Sequence, residues 1–181
     1  MLHEATFTIK QIERLAFHAK RIAPNFSRKR GQTIEKKEVE VFIGMLAEAG
    51  VAKMLNKETW WAKRQVEIWK SGIFDDGGFD FTVGDINIDV KAILPNCQLV
   101  LANKIRADQY WAVAVDVKKR TVRLLGIATS DMMVFGGDDA IPKHLQNTCK
   151  KKYVCHIDRL KSYEKVHTAV DAGDSMSDGI R

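Results

Sequence analysis

Two short runs of alternating apolar and polar residues mark the middle of the chain. In Phe79-Asp80-Phe81-Thr82-Val83 every second residue is apolar, and Ile86-Asn87-Ile88-Asp89-Val90 repeats the pattern. A period of two is the signature of a strand with one buried face. Gly84-Asp85 separates the runs and suits a two-residue hairpin turn with glycine first. That turn would set Phe81 opposite Ile88, Phe79 opposite Val90 and Asp80 opposite Asp89. Elsewhere the period is helical. Ile12, Leu15, Ala16 and Ala19 predict a helix over 8–23 with Thr8 as its cap, ended by Pro24-Asn25. Val41, Met45, Ala52 and Leu55 form the apolar stripe of a second helix over 34–56. The segment 59–70 holds Trp60, Trp61 and Trp69 and fits a short helix or a strand equally. Tyr110 to Val117 is almost continuously apolar, the pattern of a strand buried on both faces. Thr121 to Ala128 reads as its neighbour, and more than a dozen residues before Asp108 suffice for a crossover to a parallel strand. Further on, the pattern predicts a short helix from Thr129 or Ser130 to Val134, a loop at Gly136-Asp139, an edge strand over 153–157 and a last helix over 158–170. The order implies an α/β fold: one domain over 1–170, a mixed central β-sheet flanked by helices, and a small, polar tail over 171–181.

The hairpin carries candidate chemistry. Asp80 and Asp89, directly opposed, would have Cβ atoms about 4.5–5.5 Å apart and would repel. A hard divalent cation with oxygen ligands would offset that repulsion. Lys91 lies two residues beyond Asp89 and shares its face. Glu48 interrupts the apolar stripe of the second helix, and an acid on a buried face needs a partner or an ion. Asp76, in the turn-rich approach to the hairpin, is an alternative ligand that turn chemistry explains as well.

Asp80 and the tripeptide Asp89-Val90-Lys91 resemble the PD-(D/E)XK nuclease superfamily, with Phe79 standing where a proline is usual. Glu48 is similar to the glutamate that members carry on the helix before the hairpin. The resemblance spans about residues 40–130 and implies a restriction-endonuclease-like core. It also implies a metal-dependent deoxyribonuclease, an endonuclease before an exonuclease. Asp80, Asp89 and the backbone carbonyl of Val90 would hold Mg²⁺, or Mn²⁺ in its place, with Glu48 supporting the shell. Lys91 would position or deprotonate the attacking water or stabilise the pentacovalent phosphate.

Composition fits this picture without requiring it. The 181 residues carry a net charge of +6, which favours a polyanion such as DNA. Basic clusters stand at 28–30, 36–37, 118–120 and 150–152. Three cysteines without a CxxC pair argue against a disulfide framework and a four-cysteine zinc site. His144, Cys149, Cys155 and His156 lack zinc-finger spacing. No apolar stretch matches a signal peptide or the roughly 20 residues that span a bilayer, so a cytoplasmic protein with no membrane contact is expected. The three tryptophans leave a homodimer interface and a core role both open. Two alternatives stand beside the deoxyribonuclease: a non-catalytic nucleic-acid-binding or assembly protein on the same scaffold, and an RNA-directed nuclease.

Overall fold

A computed structural model describes residues 3–26, 31–71, 79–93, 98–135 and 152–164. Strand β1 (Glu4–Thr6) leads into helix α1 (Ile9–Ile22), whose N-cap is the expected Thr8. The Thr8 hydroxyl accepts the Gln11 amide and the Gln11 side chain accepts the Thr8 amide, so two orphan donors of the first turn are satisfied reciprocally. Helix α2 (Ile34–Met54) follows, capped by Thr33. The undecided tryptophan segment is helix α3 (Glu58–Ser71). The hairpin is β2 (Phe81–Val83) and β3 (Ile86–Ile93). Gly84 turns it at φ +58°, as the first position of such a turn demands.

β3 crosses to β5 (Gln109–Asp116) in parallel, as the length of the connection allowed. The crossover carries a strand of its own, β4 (Leu99–Ala102), which the sequence pattern did not reveal. β5 returns antiparallel to β6 (Thr121–Thr129). The five strands lie in the order β1-β6-β5-β3-β2, a mixed sheet. Where a short helix was expected, a single 3₁₀ turn (Ser130–Met132) leads into β7 (Val134–Phe135). β8 (Tyr153–His156) is no edge strand, because it lies between β4 and β7 in a second, three-stranded sheet. The last helix does not begin at Asp158. Residues 157–159 form a 3₁₀ turn, and Lys161 bridges to Ile127 through two 2.9 Å backbone bonds. The rest of that expected helix, the tail, Pro95-Asn96, Asp76, the loop at 136–139, His144, Cys97, Cys149 and the clusters at 28–30 and 150–151 lie outside the described residues.

Two cores follow from the alternation along the large sheet. Phe81, Ile88, Val90, Trp111, Val113, Val122 and Ile127 point to one side and pack with Leu15, Ala19, Met45, Leu46 and Trp61 of the three helices. Tyr110, Ala112 and Ala128 point to the other and pack under Val100, Ala102, Met132, Met133 and Cys155. β5 is therefore buried on both faces, as its apolar run predicted; Tyr110, Trp111, Ala112 and Val113 are fully buried. The fold is α/β with a mixed sheet. Helices cover one face only, and the second sheet covers the other.

Candidate active site

β3 carries the tripeptide, and strand alternation sorts its side chains. Ile88 and Val90 enter the helical core. Asp89 and Lys91 therefore point to the opposite face, where they stand beside Tyr110 and Ala112 of β5. Lys91 Nζ lies 2.7 Å from Asp89 Oδ2. Both side chains are largely covered, at 30% and 14% exposure, so solvent screens this pair less than a surface one. Burial alone pushes the Lys91 ammonium towards losing its proton. The charge and hydrogen bond of Asp89, with smaller contributions from Asp80 and Tyr110, outweigh burial and hold its pKa above the ordinary value. A lysine so placed stays charged at neutral pH and acts as a cation and donor; a base would need the opposite shift.

Asp80 does not sit where an ideal hairpin would put it. The register holds from Val83↔Ile86 to Phe81↔Ile88 and ends there. The Asp80 amide bonds the carbonyl of Ile88 at 2.8 Å, the residue already facing Phe81. Two residues of β2 thus oppose one of β3, which is a bulge. A one-residue slip reverses the facing of what precedes it. Accordingly Phe81 enters the helical core while Phe79 packs against the core on the other face. The head-on pairing of Asp80 with Asp89 is not formed. Instead the Asp80 carboxylate reaches β3 at the sheet's edge and accepts the Val90 amide at 2.7 Å. Charge repulsion supplies the reason: the bulge separates two like charges and lets one of them accept a backbone donor.

In a strand the N–H and C=O of one residue point to the same edge. Since the Val90 amide meets Asp80, its carbonyl faces that edge too. The edge thus presents carboxylate and carbonyl oxygens, with the Lys91 ammonium adjoining.

Glu48 belongs to a neighbouring space. A cleft of about 340 Å³ opens between α2 and α3, and Glu48 and Asp80 both line it. Glu48 Oε2 accepts the Trp61 indole N–H at 3.0 Å and the Gln65 amide at 3.1 Å, from residues four apart on α3. The partner that a half-buried acid required is therefore α3, a partner invisible while that segment could be read as strand or helix. Asp80 stands between the two groups, lining the cleft with Glu48 while its charge acts on Lys91.

The donors are oxygens only, which suits a hard divalent ion. Among the described residues no three Asp, Glu, His or Cys side chains converge closely enough to hold a metal. An ion at this edge would have at most two carboxylates, completed by a backbone carbonyl and water, a set Mg²⁺ accepts. Sequence reasoning missed Arg64. Its guanidinium lies 5.4 Å from the Trp60 ring centre and 5.6 Å from that of Phe79. It donates to the Phe79 carbonyl at 3.1 Å, one residue before Asp80. No helix among the described residues is long and apolar enough to cross a membrane. No family model matches the chain, and no curated protein and no solved structure matches it.

Proposed function

We propose that the chain is a metal-dependent deoxyribonuclease with a restriction-endonuclease-like core. One observation carries the reading: within three consecutive residues of β3, Val90 is met by the Asp80 carboxylate and Lys91 is paired with Asp89. Two acids and an ammonium then share one sheet edge, beside a cleft that a substrate strand can enter. Asp80, Asp89 and the Val90 carbonyl would hold Mg²⁺, or Mn²⁺ in its place. Such an ion lowers the pKa of a bound water and neutralises charge developing on phosphorus. Lys91 contributes positive charge and a hydrogen bond to the phosphate. Asp89 orients Lys91. Glu48, held by Trp61 and Gln65, orients water on the cleft side of Asp80.

The test is incubation of mixed linear, circular and single-stranded DNA with Mg²⁺ or Mn²⁺. Lys91→Ala and Asp89→Ala are expected to lower cleavage about 10²–10³-fold, as loss of one charge-stabilising group does elsewhere. Wild-type protein that cuts nothing with either metal, or both variants cutting at the wild-type rate, would defeat the reading.

A second reading is favoured by the short Lys91–Asp89 pair, which can neutralise Asp89 without any metal. The chain is then a non-catalytic nucleic-acid-binding protein. Calorimetric titration with Mn²⁺ separates the two: a site lost in Asp80→Asn belongs to the nuclease, and absence of any such site to the binder.

A further inference from the structure

The cleft between α2 and α3 has acids on its floor and cations on its walls. Its lining includes Lys37 on α2 and Arg64 on α3, together with Glu48 and Asp80. Each cation is held by an aromatic side chain. Lys37 Nζ lies 5.6 Å from the Phe26 ring centre, and Phe26 lines the same cleft. Arg64 is gripped more firmly, between Trp60 and Phe79 and on the Phe79 carbonyl. A guanidinium held by two rings loses little freedom on meeting a ligand. It carries five N–H donors in a planar fork that matches two phosphate oxygens, more than one carbonyl uses.

Bracing β2 would account for the bond to Phe79 but not for the cleft. A brace can be buried in the core, whereas Arg64 is half-exposed on a wall facing Lys37. Lys37 is also 3.5 Å from Glu40, so its charge is partly offset and Arg64 is the stronger anchor. At about 340 Å³ the cleft is at the low end of spaces that enclose a small ligand, about 300–1,000 Å³. A duplex, whose major groove alone is about 12 Å wide, cannot enter it.

We infer that this cleft binds the phosphodiester backbone of a single DNA strand, with Arg64 as its principal phosphate contact and Lys37 as the second. The inference rests on the nuclease reading only for the claim that the bound phosphate lies next to the reacting one; binding itself needs no metal. Because Arg64 holds the carbonyl of Phe79, the same guanidinium couples an occupied cleft to the position of Asp80.

The experiment is fluorescence anisotropy of a labelled single-stranded DNA oligonucleotide in EDTA, where no metal-dependent cleavage occurs. Arg64→Gln is expected to weaken binding about tenfold or more, as loss of a charge-assisted bidentate contact does. Arg64→Lys keeps the charge but loses the fork, and should fall between. Lys37→Ala, at a position that leaves β2 untouched, should weaken binding several-fold and reduce the salt dependence by about one phosphate contact. Should Arg64→Gln fail to fold, as its melting curve would reveal, Arg64→Lys and Lys37→Ala carry the test. Wild-type affinity and salt slope in these variants, or no binding by the wild type, overturn the inference. The two proposals fail separately. Arg64-dependent binding without metal-dependent cleavage leaves this one standing and removes the nuclease. Lys91-dependent cleavage with unchanged binding in Arg64→Gln does the reverse.

Discussion

The large sheet is covered by helices on one face and by a small sheet with its C-terminal extension on the other, and each cover closes on it at a glycine. On the helical side Gly50 of α2 meets Val122 of β6, and a Cβ at Gly50 would lie 2.5 Å from the Val122 Cβ and Cγ1. On the other side Gly126 of β6 meets the segment after β8. A Cβ there would lie 2.7 Å from the Leu160 Cβ and 3.1 Å from the Lys161 carbonyl oxygen. Gly50 is ordinary helix, so only space demands glycine. Gly126 has φ +155°, so the backbone demands it as well. It also lies where the β5–β6 register shifts, Ala112 facing Gly126 and Val113 facing Leu124. The helical layer therefore fits by packing alone, while the other cover depends on packing and on a bent strand. Asp89 and Lys91 project on the side of that second cover, so the candidate chemistry depends on the more constrained of the two closures.

Four outcomes would sharpen or break this comparison. Gly126→Ala should cost the most, about 3 kcal/mol, because strain at positive φ adds to crowding. Urea denaturation measures it, and adding Leu160→Ala should recover only part of the loss, since the backbone strain remains. Gly50→Ala should cost about 2 kcal/mol through crowding alone. Here Val122→Ala should act as a suppressor, the double variant being more stable than Gly50→Ala; no suppression would mean that α2 is held by more than side-chain fit. Thr8→Ala removes half of the reciprocal cap of α1 and should cost about 1 kcal/mol, read as a lower denaturation midpoint with unchanged slope. The smallest effect concerns the second core. Burial pushes the Cys155 thiol above its ordinary pKa, with Arg159 opposing weakly. In a Cys97→Ser/Cys149→Ser background a disulfide reagent at pH 8 should modify Cys155 only at the rate of unfolding; rapid reaction would show that the small sheet opens independently of the large one.

Much of the frame was readable from local patterns. Thr8 and Gln11 announced a cap, Gly84-Asp85 a tight turn, and the apolar run from Tyr110 a strand with no solvent face; each appears as expected. The second sheet was not readable. β4 is four residues long and β7 two, too short for a period to show, and their pairing joins segments about fifty residues apart. Helix α3 resisted assignment because its tryptophans suit a strand as well as a helix.

At the candidate site the division is sharper. The facing of Asp89 and Lys91 follows from sequence alone, because alternation along one strand is a local rule that no distant contact alters. The place of Asp80 does not follow. Whether it stands opposite Asp89 or turns to the Val90 amide depends on a contest between ladder geometry and charge repulsion, decided only once both strands are in place. Glu48 poses the same problem: burial demands a partner, but only the packing of α3 against α2 determines that Trp61 and Gln65 supply it. Residue types and strand parity are properties of the chain, whereas the choice among competing hydrogen-bond partners is a property of the assembled fold, since a donor must arrive before an acceptor can choose it.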